Sequence, residues 1–167
     1  MYICTENIYI GGMKMKRVCT FAGHRNISAT KELLSALKKH IEILITKENV
    51  REFLVGNYGD FDHIAAEAVR ELQKLYPHIK LILVIPYLTK VITKYKEQFY
   101  EKYDSILMAD IPLSTPKNLR IIKSNQYMVD KSDFLICYIN RGWGGAAQTV
   151  DYADKKGIKV INIAEVK

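Results

Sequence analysis

The residues whose types and spacing most readily suggest chemistry are Asn140-Arg141-Gly142-Trp143-Gly144-Gly145-Ala146-Ala147-Gln148-Thr149. An apolar, β-prone run, Phe134 to Ile139, precedes them. A helical pattern that exits through Lys155-Lys156-Gly157 follows. A glycine-rich turn from a strand into a helix aims unpaired N–H groups and the positive end of the helix dipole at one point. Phosphate binds well in such a place. Gly144 and Gly145 let the backbone approach an anion, and Gln148 and Thr149 offer side-chain donors at the expected helix start. Two other strand-to-helix turns look alike: Gly23-His24-Arg25, and Gly56-Asn57-Tyr58-Gly59-Asp60. Arg25 has the planar fork that pairs with phosphate. Arg141 adds a second guanidinium beside the third turn, and Tyr58 or Tyr87 offers a ring for a base. Each residue has an ordinary reading as well. A glycine after a strand often only makes a turn, and Asp62 reads first as a helix cap. His24 needs a partner before it is a base, and Asn125 in mid-helix can simply face water. The weight lies in their shared position.

The elements that would hold these turns follow from periodicity. Strands are expected at Arg17 to Phe21, Glu52 to Val55, Lys80 to Ile85, Ser105 to Ala109, Phe134 to Ile139 and Lys159 to Ile163. Between them, Leu33, Leu34, Leu37, Ile41 and Leu44 recur at helical spacing behind a Ser28 or Thr30 cap. Ile64, Ala65, Ala68, Val69 and Leu72 do so behind Asp62. Further helices are expected at Val91 to Tyr103, at Leu119 to Val129 and from Gln148. Strict alternation of strand and helix predicts an α/β fold: a single doubly wound, mainly parallel sheet with helices on both faces. Ligands of such sheets sit beyond the strand C-termini near the point where strand order reverses. The three glycine turns and Pro86-Tyr87 all lie at strand C-termini and are expected to converge there.

Composition bounds the function. The chain has 167 residues, enough for one domain with a full core. Residues 1–15 read as a leader, disordered or added as an edge strand, before a domain over residues 16–167; Met13 or Met15 is the expected translation start. No apolar run approaches the ~20 residues that span a bilayer, and no secretory signal is visible. A cytoplasmic protein without a membrane partner is expected. Cys4, Cys19 and Cys137 lack metal-ligand spacing, and Cys19 and Cys137 fall in expected strands as inert thiols. No metal and no resident cofactor are expected. The net charge of +7 favours anionic partners. Its lysines are dispersed, so nucleic-acid binding should be weak. Self-association into a homo-oligomer is compatible with the chain. The G-x-G-x-x-G fingerprint, the P-loop, H-E-x-x-H and G-x-S-x-G are all absent, which argues against ordinary NAD dehydrogenases, P-loop ATPases and zinc proteases.

Several stretches together resemble the SLOG superfamily, in particular its small single-domain bacterial members with a TGHR-like first turn. They are Thr20-Phe21-Ala22-Gly23-His24-Arg25; Gly56 with Asp62-His63-Ile64-Ala65-Ala66-Glu67; Ile85-Pro86-Tyr87; Asn125 to Asp130; and Gly144 to Thr149. The resemblance runs from about Arg17 to Ile163. It implies a Rossmann-like sheet that binds a nucleotide or nucleotide-derived small molecule, in the company of the Lonely Guy and DNA-processing protein A groups. Lonely Guy phosphoribohydrolases carry P-G-G-x-G-T-x-x-E. Here Trp143 replaces the proline, Gly144 and Gly145 match, Ala147 and Gln148 replace Gly-Thr, and Asp151 stands for the glutamate. The phosphate-binding turn is thus kept, while the catalytic pattern is altered. Three functions follow in order: a binder that senses, carries or sequesters a nucleotide-type ligand; a phosphoribohydrolase-like enzyme that cleaves the N-glycosidic bond of a nucleoside monophosphate with Asp62, Glu67 or Asp151; and a single-strand nucleic-acid binder.

Overall fold

The computed structural model describes residues 9–10 and 13–164. The readings placed on residues 1–8, including Cys4, and on Gly11-Gly12 lie outside the described residues. Two short strands, β1 (Tyr9–Ile10) and β2 (Met13–Lys14), pair antiparallel with each other as a separate two-stranded sheet.

The main sheet has six strands, all parallel: β3 (Arg17–Gly23), β4 (Val50–Val55), β5 (Lys80–Ile85), β6 (Ser105–Met108), β7 (Phe134–Tyr138) and β8 (Lys159–Asn162). Their spatial order is β6-β5-β4-β3-β7-β8. From β3 the chain moves outward to β6, then returns across the sheet to β7 on the other side of β3. The order therefore reverses between β3 and β7, which is where a doubly wound sheet opens a crevice.

Helices cover both faces. The helix α1 (Lys31–Lys47) starts at Thr30, whose hydroxyl accepts from Leu33 N–H at 3.1 Å. With α2 (Asp60–Gln73) it buries Leu37, Ile41, Ile64 and Val69 against Cys19, Phe21, Phe53, Leu83 and Ile136. On the opposite face, α5 (Lys117–Asp130) and α6 (Gly145–Lys156) lay Met128, Val129 and Ala153 on Leu54, Val84, Leu135 and Cys137. The strands are continuous apolar runs because both faces are covered. Cys19 and Cys137 are both buried, and burial pushes the Cys19 thiol upward, as inert core thiols require. At the N-terminal ends of the strands, Asp133 locks the seam: its carboxylate accepts from Val18 N–H at 2.9 Å, and its carbonyl accepts from Lys159 N–H.

Three local expectations need correction. Residues 91–103 form two short helices, α3 (Lys90–Lys94) and α4 (Lys96–Lys102), because the chain breaks at Tyr95. Helix α2 begins at Asp60 with Gly59 at the cap position, so Asp62 lies inside the first turn and does not cap. Helix α6 begins at Gly145, three residues before Gln148, because Gly144 at φ 99°, ψ 177° turns the chain directly into it.

Candidate functional site

The β3 turn and the β4 turn are built as one unit. Gly23 ends β3 where the Phe61 side chain crosses it; a β-carbon there would lie 2.3 Å from Phe61 Cγ. Asp60 N–H donates to Arg25 C=O at 2.8 Å, and the Asp60 carboxylate accepts from Ile27 N–H at 3.0 Å. Gly59 passes so near that a β-carbon would lie 3.0 Å from Arg25 Cα. Within the β4 turn, Asp62 folds back and accepts from Tyr58 N–H at 3.0 Å. Gly56 leaves room for that carboxylate, since a β-carbon would sit 2.9 Å from its Oδ2.

The third turn is fastened by His24 and Asn162. His24 is buried, and its Nε2 accepts from Asn140 N–H at 3.1 Å. That bond requires an unprotonated Nε2. Burial, and then the neighbouring Arg141 charge, hold the imidazole below its ordinary range. Asn162 grips Ile139 from both sides: its Oδ1 accepts from the N–H at 3.2 Å, and its Nδ2 donates to the C=O at 2.9 Å. The Arg141 guanidinium lies 4.0 Å over the Trp143 ring, which is exposed.

These locks enclose a cleft of about 220 Å³ at the switch point. Gly23, His24 and Arg25 line it from the first turn, and Tyr58, Gly59 and Asp62 from the second. Arg141, Gly144, Gly145 and Ala146 line it from the third, and Ile121 and Asn125 cover it from α5. The first N–H groups of α6 have no acceptor within their helix, and Gly145 and Ala146, which carry two of them, line this space. Neither Arg25 nor Arg141 has a carboxylate partner among the described residues. The cleft's carboxylate, Asp62, is raised above its ordinary range by burial, an effect only partly offset by the Tyr58 N–H bond. The cleft thus presents two cationic forks and a helix start, against one carboxyl group already held by backbone.

Not every expected residue reaches it. Asn57 lines a shallower neighbouring depression. Gly56 serves the turn behind Asp62. Pro86 and Tyr87 stand back from the cleft, with Tyr87 beside the Tyr58 hydroxyl. Gln148 is exposed at the second turn of α6. Thr149 is buried, and its hydroxyl donates to Gly145 C=O at 2.8 Å. Glu67 and Asp151 are exposed and outside the cleft. Sequence reasoning missed Ile121, Arg120 and Asn162. The i, i+4 spacing of Ile121 and Asn125 was the one available hint for the first of these. Among the described residues, no group of three His, Cys, Asp or Glu side chains could hold a metal, and no helix is long and apolar enough to cross a membrane.

A six-stranded parallel sheet, helices on both faces and a polar cleft at the strand reversal define a Rossmann-like doubly wound domain. The family model YpsA, described as the YspA SLOG family, matches residues 8–160, and the chain belongs to that family. It is 31% identical over 159 residues to UPF0398 protein BH1768 of Halalkalibacterium halodurans, covering 89% of this chain and 80% of the relative. It is 27% identical over 130 residues to the SPbeta prophage-derived protein YoqJ of Bacillus subtilis, covering 69% of this chain and 76% of the relative. Among solved structures, DNA processing protein A of Streptococcus pneumoniae superposes with a TM-score of 0.62 at 20% identity. The match covers 87% of this chain but spans only about half (49%) of that protein. The molybdenum cofactor carrier protein of Chlamydomonas reinhardtii superposes with a TM-score of 0.55 at 16% identity, covering 90% of this chain and 78% of that one. At these identities the likeness to both concerns the fold.

Proposed function

We propose that this protein binds a nucleotide or nucleotide-derived ligand in the switch-point cleft, as a sensor, carrier or sequestering protein. The ligand's anionic group sits at Gly144, Gly145 and Ala146, between Arg25 and Arg141. The observation that carries the reading is the convergence of three mutually fastened turns on one cleft that holds two guanidinium groups without carboxylate partners among the described residues. Such an arrangement is poor at holding cations and good at holding phosphate. The fold neighbours are compatible with it: one is a carrier of the molybdenum cofactor.

The hydrolase reading is weaker because glycoside chemistry of the usual kind needs two carboxyl groups across the bond. Of Asp62, Glu67 and Asp151, Asp62 alone lines the cleft. The single-strand reading draws on DNA processing protein A of Helicobacter pylori, which is described for its single-stranded DNA binding and superposes with a TM-score of 0.60 at 16% identity. A cleft of about 220 Å³ suits one anionic group with its sugar better than a continuous strand.

Calorimetric titration with AMP, ribose 5-phosphate and inorganic phosphate tests the proposal. Arg25→Ala and Arg141→Ala should each weaken AMP about 10–100-fold, as expected for a lost charge-assisted contact of about 1.5–3 kcal/mol. Folded variants that bind as tightly as the parent would place the site elsewhere. Chromatography of the same mixtures should show no released adenine. Release that disappears in Asp62→Asn would put the hydrolase reading first.

A further inference from the structure

Beyond the cleft lies a second, wider depression of about 490 Å³, and the two share Arg25, Tyr58, Gly59 and Ile121 as a common wall. Ligand pockets run from about 300 to 1,000 Å³. The inner cleft alone falls below that range, whereas the two together fall within it. The chemistry of the two parts differs. The inner part is dominated by Arg25, Arg141 and the α6 N-terminus. The outer part is lined by Asn26, Asn57, Asp60 and His63. Two amides, an imidazole and a carboxylate supply donors and acceptors together, and the Asp60 carboxylate makes the place unfavourable for a second anion.

Tyr58 stands on the dividing wall, and its backbone is held by the Asp62 carboxylate, which accepts from Tyr58 N–H at 3.0 Å. Its hydroxyl lies beside Tyr87; burial first, and then this neighbour, push it up to about 12. The Arg120 guanidinium lies 5.9 Å over the Tyr87 ring, and Arg120 is itself held by the carbonyls of Thr115 and Leu113 at 3.0 and 3.1 Å. An aromatic residue between an anion site and a mixed hydrogen-bonding surface has the layout of a stacking platform.

We infer that the outer depression is the second compartment of the same site and takes the heterocycle of the ligand, stacked on Tyr58, with Asn26, Asn57 and His63 reading its polar edge. This rests on the anion site described above. The ligand class is then a nucleotide with a planar base carrying both donors and acceptors, its phosphate inside and its base outside. Asp60 serves chiefly to hold the turn that carries Arg25 and Asn26.

The test compares two probes, AMP and ribose 5-phosphate, in the full chain by calorimetry. The parent should bind AMP at least tenfold more tightly than ribose 5-phosphate. The double variant Asn57→Ala with His63→Ala should lose about tenfold for AMP and nothing for ribose 5-phosphate, and Tyr58→Leu, on the shared wall, should lose about tenfold for AMP and clearly less for ribose 5-phosphate. Tyr58→Phe keeps the ring and should retain AMP affinity. Equal losses for both probes, or no loss for either, would overturn the outer compartment. A parent protein that binds ribose 5-phosphate and AMP equally would also overturn it and leave the anion site standing. A parent that binds neither removes the anion site and this inference with it.

Discussion

Two neighbouring glycines in the third turn separate folding from binding. Gly144 lies at φ 99°, ψ 177°, a region essentially closed to residues with a β-carbon. Gly144→Ala should therefore cost about 1–3 kcal/mol. In a chain of this size that is a fall of roughly 2–12 °C in Tm. Gly145 is different. It is the first helical residue, its φ is not in the left-handed region, and a β-carbon there meets nothing within 4 Å. Gly145→Glu should fold without strain, and its carboxylate gains about 0.3–1 kcal/mol from the helix N-terminus. It would occupy the place proposed for the ligand's anion. Differential scanning fluorimetry should find the Tm of Gly145→Glu equal to the parent or a few degrees higher. Calorimetry with AMP should find affinity reduced about 10–100-fold, the loss of a charge-assisted contact of about 1.5–3 kcal/mol. Gly145→Ala, which adds a methyl and no charge, should bind nearly as the parent does. If Gly145→Glu is folded and binds AMP at parental affinity, the anion does not sit at the start of α6, and the argument from convergence is wrong.

Three further outcomes follow from the same geometry. The Asp62 carboxyl is raised by burial, so its ionisation opposes folding once pH exceeds the ordinary carboxylate range. Asp62→Asn should raise Tm at pH 7, and the gain should fade as pH falls below about 4; a large loss of Tm at pH 7 would show that the charge is needed by the fold. His24 is held below its ordinary range, so the unfolded chain takes up the proton first and stability falls as pH drops through and below about 6.5. His24→Gln, which cannot charge, should flatten that part of a Tm-against-pH curve, and an unchanged slope would clear His24 of it. Gly23→Ala drives a β-carbon into Phe61 and should cost about 1–3 kcal/mol by overpacking, read as a Tm fall of several degrees; a neutral result would mean that Phe61 moves aside freely.

The alternation of apolar runs and amphipathic stretches was sufficient to predict the α/β class, the strands and the two-sided cover of the sheet, because burial on both faces writes itself into composition along each strand. The glycine turns were legible for a similar reason: each follows a strand and precedes a helix, and that position alone sends it to the C-terminal edge of a parallel sheet. His24, Arg25, Asp62 and Arg141 could be singled out on those grounds. What each of them does there could not. Whether Asp62 caps a helix or folds back to Tyr58 N–H depends on a one-turn shift in where α2 begins, and the Gly59–Arg25 contact sets that start. Thr149 reads as a donor in sequence, yet Gly144 starts α6 early enough to bury it and direct its hydroxyl to Gly145 C=O. Glu67 and Asp151 carry the right chemistry, but helical phase turns them to solvent. Asn162 and Arg120 contribute through partners 23 residues away in one case and through the Tyr87 ring in the other. Such contacts exist only once β8 lies beside β7 and α5 lies over the strand ends, so local pattern leaves no trace of them. Sequence determined which elements form and where their turns gather; only the tertiary packing decided which side chains face the cleft, which are spent on backbone, and which guanidinium groups have no carboxylate partner among the described residues.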